Sequence, residues 1–246
     1  LCKNFWKDMK WNSRTQLLLG EKGIKKLADS HVLVVGLGGV GAYVAEQLAR
    51  AGIGRLTIVD SDTINITNKN RQLLALDSTL NRPKVEVMAE RIRDINPDIE
   101  VIALNQYLKD QSIIDLMEQT FDFVVDAIDT LAPKVFLLYY AVLNKQNIVS
   151  CMGSGGKLDP EMIQIADISK SHNCRLAFYV RKRLHRLGIR EGITVVFSPE
   201  KVAETAISTE EQTENKIATV GTISYMPAIF GCYCASHVIR SILSRD

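Results

Sequence analysis

Short apolar runs rich in β-branched residues recur along the first 150 positions. Residues 31–35 (HVLVV), 55–59 (RLTIV), 100–104 (EVIAL), 123–127 (FVVDA) and 148–152 (IVSCM) have the length and composition of strands. Between them, residues 42–51, 83–95, 112–119 and 131–145 repeat their apolar positions at helical spacing, with Pro83 suited to a first helical position. Strand and helix in alternation predict a parallel sheet. Strands that are apolar on both sides predict helices over both faces. The fold class is therefore α/β.

The ends of the chain follow other patterns. Residues 1–30 read as short helices broken at Gly20. After Gly153–Gly156, residues 163–168 and 193–197 read as strands. Leu176, Val180, Leu184 and Leu187 mark a helical stripe between them. Residues 198–222 are polar, with Glu204, Glu210, Glu211 and Glu214, and read as a mobile loop. Residues 222–243 are apolar but interrupted by Pro227, Gly231, His237 and Arg240, which favours a core helix over a membrane span. Three parts of one continuous domain follow: a helical segment (1–30), an alternating strand–helix core (31–156) and a C-terminal extension (157–246).

Composition narrows the class further. With 46% hydrophobic and 24% charged residues, the 246-residue chain is neither disordered nor collagen-like. Its 30 basic and 28 acidic residues leave a formal charge of +2, so any polyanion would need a local basic patch. Cys2, Cys151, Cys174, Cys232 and Cys234 form no CxxC pair and no even framework. A reducing compartment is expected and a zinc cluster is not. No apolar leader run stands at the N-terminus, which points to a cytoplasmic protein. Cys174 reads as structural, and Cys232 and Cys234 as buried in the last helix.

The chemistry begins at the first strand. Gly36, Gly38 and Gly41 satisfy G-x-G-x-x-G between strand and helix, where backbone N–H groups can approach phosphates. Asp60 ends the second strand, placed to accept hydrogen bonds from ribose hydroxyls. This much predicts a Rossmann-like sheet and fits NAD as well as ATP. Arg71 and Lys84 separate the two. A lysine in the first turn of a helix opposes the macrodipole unless it faces an anion, and Arg71 offers a planar fork for phosphate oxygens. Asp129, beyond the FVVDA strand, can hold Mg²⁺ against phosphates, although a helix N-cap is the competing reading. Asp126 reads as a structural or substrate-ordering acid.

VVGLGGVG (34–41), IVDSDTINITNKNRQ (58–72), RPK (82–84) and DAID (126–129) resemble the ubiquitin-activating-enzyme-like superfamily of adenylating enzymes, which includes the activators of sulfur-carrier proteins. Within it, GEKGIKKLADSHVLVVGLGGVG, NRPKVEVMAERIRDINP and SHVIRSIL resemble the tRNA threonylcarbamoyladenosine dehydratases. The resemblance implies ATP and Mg²⁺. It implies that Gly36, Gly38, Gly39 and Gly41 line the nucleotide and that Asp60 binds ribose. Asn68, Arg71, Gln72 and Lys84 would surround the phosphates, and Asp129 would ligate the metal. Arg14 falls near an arginine that reaches the partner subunit's ATP, which implies a homodimer; a surface ion pair is the alternative. The family has also been linked to a cysteine desulfurase sulfur relay.

Two features bear on the substrate. Residues 198–222 hold no Cys, so the thiolate typical of sulfur-carrier and ubiquitin activators is missing. Residues 168–190 hold Lys170, Arg175, Arg181, Lys182, Arg183, Arg186 and Arg190 and no acid. If the apolar stripe faces the core, these cations face solvent and can neutralise RNA phosphates. Phe178 and Tyr179 are expected in the core rather than stacked on a base. The function that follows is ATP-dependent cyclisation of threonylcarbamoyladenosine at position 37 of tRNA. The alternatives are a sulfur-carrier activator, an NAD-binding module and a non-catalytic tRNA scaffold.

Overall fold

The computed structural model describes residues 10–208 and 219–245. Helix α1 (Ser13–Ala28), kinked at Gly20, leads into β1 (His31–Val35). Then come α2 (Gly41–Ala51), β2 (Arg55–Val59), α3 (Lys84–Ile95), β3 (Glu100–Leu104), α4 (Gln111–Met117), β4 (Phe123–Asp126), α5 (Leu131–Leu143) and β5 (Ile148–Cys151). Beyond β5 lie β6 (Gln164–Asp167), α6 (Arg175–Arg186), β7 (Thr194–Phe197), the two-residue pair β8 (Ile207–Ser208) and β9 (Thr219–Val220), and α7 (Tyr225–Leu243).

Seven strands form one sheet in the order β3-β2-β1-β4-β5-β7-β6, parallel except for β6 against β7. Adjacent residues of β1 explain its unbroken apolar run. Val32 and Val34 join the core under α2, α3 and α7, and Leu33 and Val35 join the core under α4, α5 and α6. The chain builds outward from β1 to β3, then returns to place β4 on the other side of β1. That reversal opens a crevice beyond the carboxyl ends of β1 and β4, the usual ligand position in such sheets.

Helix α7 is long and apolar enough to cross a membrane by length and composition. Here Met226, Phe230, Cys234, Val238 and Ile242, four residues apart, bury one stripe against α2 and the sheet. Cys234 is buried as expected. Cys232 faces the other way and is exposed, because two residues on a helix differ by about 200°.

Other expectations need correction. Pro83 is the N-cap, with an extended ψ of 132°, and Lys84 is the first helical residue. Helix α6 stops at Arg186, so Leu187 is exposed rather than part of the buried stripe. Ala177 takes the core position beside Val180 and Leu184, while Leu176 is only half-buried. Phe178 and Tyr179 are exposed, not in the core. Of the polar segment 198–222, Glu204 opens a short 3-10 turn, whereas Glu210, Glu211 and Glu214 lie outside the described residues, as does Cys2.

Candidate active site

The turn after β1 is shaped by what cannot fit in it. Gly36 has a φ of 90°, and its N–H donates to the Val59 carbonyl at 2.8 Å. A Cβ on Gly41 would come 1.7 Å from the Gly36 carbonyl oxygen, so the turn closes only with glycine there. Gly39 packs on Pro227 of α7. Gly38 differs: its nearest neighbour would be Gln72 Nε2 at 3.9 Å, and its open side faces the crevice. Helix α2 starts just beyond with no side chain capping its first turn. The N-terminal N–H groups and the dipole thus meet at a site suited to an anion.

The crevice has a volume of about 850 Å³, within the range of small-molecule sites. Gly36, Gly38 and Gly39 form one wall, and Gly41 stands behind them. Asp60 is fixed at the end of β2. Its Oδ2 accepts the Leu37 N–H at 2.6 Å and its Oδ1 accepts the Asp62 N–H at 2.8 Å. Burial raises the Asp60 carboxyl above its ordinary 3.8, against the downward pull of Lys84 and the two backbone N–H groups.

Asn68, Arg71, Gln72 and Lys84 line the same crevice. Asn68 Oδ1 accepts the Asn65 N–H at 3.1 Å and so closes the 3-10 turn Ile66–Asn68. Arg71 Nη1 is anchored on the Thr67 carbonyl and Asn70 Oδ1, at 3.0 and 2.8 Å. Gln72 Oε1 is buried without a hydrogen-bond partner, an acceptor that a bound molecule could satisfy. Lys84 Nζ lies 2.7 Å from Asp62 Oδ2, and the Lys84 N–H donates to the Asp62 carbonyl at 3.0 Å. The lysine side chain is only 5% exposed, so this ammonium is held in the wall rather than left in water. Asp62 escaped sequence reasoning; its signal was a second acid two residues beyond Asp60.

Asp129 sits at the mouth on the loop between β4 and α5. Thr130 is the N-cap of α5, which removes the helix-cap reading of Asp129. Asp126 is structural. It is fully buried, paired with Lys134 at 2.7 Å, and it accepts the Ser150 hydroxyl at 2.5 Å. Lys134 also went unrecognised, although a lone lysine in LAPKVFLL was a visible anomaly.

Among the described residues no group of three His, Cys, Asp or Glu could enclose a metal ion. Magnesium commonly uses one or two carboxylates and takes its other ligands from phosphates and water. A crevice with Asp129 on one side and an N–H cradle on the other fits that pattern. Arg14 is exposed on α1 and does not line the crevice.

The basic segment divides. Arg175, Lys182, Arg183, Arg186 and Arg190 face solvent. Arg181 turns inward, its Nη1 donating to the Ser171 carbonyl at 2.7 Å and to the Ser171 hydroxyl, and so leaves the solvent-facing set. Cys174, read as structural or incidental, is buried at the start of α6.

A family model described as the ThiF family matches residues 12–246. The tRNA threonylcarbamoyladenosine dehydratase of Bacillus subtilis is 38% identical over 238 residues, 94% of each chain. That of Escherichia coli is 35% identical over 255 residues, covering 96% of this chain and 95% of the relative. The crystal structure of the E. coli enzyme, TcdA, in complex with ATP matches with a TM-score of 0.86 at 36% identity. That match covers 94% of this chain and 93% of the other.

Proposed function

Since the chain belongs to the ThiF family, we propose on that premise that it is an ATP-dependent dehydratase acting on N6-threonylcarbamoyladenosine at position 37 of tRNA. The observation that carries this reading is the convergence of Asp60, Arg71, Lys84 and Asp129 around one glycine-walled crevice.

A carboxylate is a poor electrophile because its leaving group would be oxide. Attack of a carboxylate oxygen on the α-phosphorus of ATP forms a mixed anhydride and releases pyrophosphate. A nucleophile within the same modified base then adds to the activated carbon, and AMP departs with the oxygen. The net change in the base is loss of one water.

The residues divide this work. The Gly36–Gly39 backbone cradles phosphate, and Asp60 accepts hydrogen bonds from ribose. Arg71 and Lys84 bind phosphate oxygens and stabilise the charge that builds during transfer. Asp62 holds the Lys84 ammonium in place. Asp129 would ligate Mg²⁺, which supplies charge neutralisation on the phosphates. No covalent cysteine is required. Arg14 lies outside the crevice of its own chain, so a contact with ATP would have to be made to a second subunit's site, and we propose a homodimer on the family resemblance. The enzyme would act where ATP and tRNA are both supplied, and we propose the cytoplasm.

The test is mass spectrometry of tRNA nucleosides after incubation with ATP. Threonylcarbamoyladenosine should lose the mass of one water only when ATP is present. ATP–pyrophosphate exchange that needs a carrier protein instead of tRNA would favour the sulfur-carrier alternative.

A further inference from the structure

Helix α6 has one face committed to the core and one that, among the described residues, packs against no other element. Ala177, Val180 and Leu184 are buried. On the other side, Arg175, the adjacent pair Phe178 and Tyr179, Lys182 and Arg186 share the outer face, a stripe linked by pairs three and four residues apart. Two large aromatic side chains in this stripe are left in water, Phe178 at 53% exposure and Tyr179 at 39%. They are not splayed at random. Their rings meet edge-to-face at 5.3 Å and 74°, and the Arg175 guanidinium stands 5.9 Å from the centre of the Tyr179 ring.

The stripe adjoins the crevice. Leu176 lines the cavity, and Tyr179 and Arg183 lie three and seven residues further along the same edge of the helix. A molecule whose reacting group entered the crevice past Leu176 would lay its adjacent parts across the Tyr179 ring, and Phe178, further round the helix, extends that surface through its edge-to-face contact with Tyr179.

We infer that Phe178 and Tyr179 form a stacking platform for unpaired bases next to the modified adenosine in the anticodon loop. This rests on the tRNA reading above and names where that tRNA is gripped. The chemistry selects a polyanion with exposed rings. Residues 168–190 carry seven cations and no acid, which suits phosphates and repels a basic protein partner. Aromatic faces among those cations suit bases that are free to unstack, which loops offer and duplex stems do not.

The experiment compares two RNAs by fluorescence anisotropy with the full chain. One is an anticodon stem–loop carrying threonylcarbamoyladenosine; the other is a blunt duplex of the same stem. Phe178→Ala and Tyr179→Ala should each weaken stem–loop binding, by roughly 5- to 150-fold, while leaving duplex and ATP binding unchanged. Tyr179→Phe, which keeps the ring, should restore most of the affinity. Equal losses on both RNAs would reduce the rings to generic contact surface and overturn the platform. Unmoved stem–loop affinity in both alanine variants, with normal wild-type binding, overturns this inference alone. A fall in oligomeric mass in either variant would reassign the stripe to a contact between copies and overturn it too. Failure of the wild-type chain to bind either RNA would sink the tRNA reading and the platform together.

Discussion

Lys134 Nζ lies 2.7 Å from Asp126 Oδ2, and neither side chain has any exposure to solvent. Two charges taken wholly out of water repay their desolvation only through close geometry and further hydrogen bonds. Both are present: Lys134 also donates to the Ile128 carbonyl at 2.9 Å, and Asp126 accepts the Ile128 N–H at 3.1 Å and the Ser150 hydroxyl. The network clamps the loop that carries Asp129. Lys134→Met would leave an uncompensated buried carboxylate at a cost of about 3–5 kcal/mol. For a chain of this size that lowers Tm by roughly 6–20 °C. The double variant Lys134→Met with Asp126→Asn should lose less than Lys134→Met alone, because no charge is stranded. Calorimetry of the three proteins checks the order, and a double variant worse than the single would refute the clamp.

The glycine turn yields a second contrast. Gly41→Ala would drive a methyl to 1.7 Å from the Gly36 carbonyl oxygen, so the turn must open. Gly38→Ala meets nothing closer than 3.9 Å and points into the crevice. Gly41→Ala is therefore expected to lower Tm and ATP affinity together. Gly38→Ala should keep Tm within a few degrees and still weaken ATP at least tenfold. Thermal unfolding paired with ATP titration reads both quantities, and ATP affinity unaffected by Gly38→Ala would place the phosphates elsewhere.

Local pattern made much of this legible. The inner strands showed because both of their faces are buried, and the cradle showed because close backbone approach demands glycine. Asp60, Arg71, Lys84 and Asp129 do line one crevice. What stayed hidden depends on partners distant in sequence. The Asp62 clamp on Lys84 crosses a 22-residue gap and the Ser150–Asp126 bond a 24-residue one. Phe178 and Tyr179 misled for another reason. An aromatic on an amphipathic helix counts as core by hydropathy, but here small Ala177 fills the inner position and leaves the rings outside.

If Asp60 holds the ribose, ATP binding should be sensitive to acid. Burial holds its carboxyl above 3.8, so it takes up a proton at a higher pH than an exposed aspartate. Protonation removes the charge that strengthens hydrogen bonds from the ribose hydroxyls. The protonated form binds ATP less well, so affinity is full well above the Asp60 pKa and falls as pH drops towards it. ATP titrations across the acidic range should show this decline. Asp60→Asn should give weaker binding that no longer depends on this group. A wild-type and a variant with parallel pH profiles would remove Asp60 from the ribose site.

Lys84 and Arg71 offer the sharpest test of the reaction itself. Lys84 is buried in the crevice wall and oriented by Asp62, so its charge is already positioned when phosphates arrive. Such a preorganised donor is worth about 10²- to 10³-fold in rate. Lys84→Ala removes the donor and leaves Asp62 facing the phosphates as an unpaired carboxylate, so its loss should reach at least that range. Arg71→Ala removes a fork anchored on Thr67 and Asn70 and should fall in the same range. Asp62→Ala keeps the ammonium but loosens it, and a smaller loss is expected. Single-turnover release of AMP measures all three, and anisotropy with the stem–loop RNA should show tRNA binding intact. Full turnover by Lys84→Ala and Arg71→Ala would mean that the phosphates are held by other groups, and the assignment of this crevice to adenylation would fail.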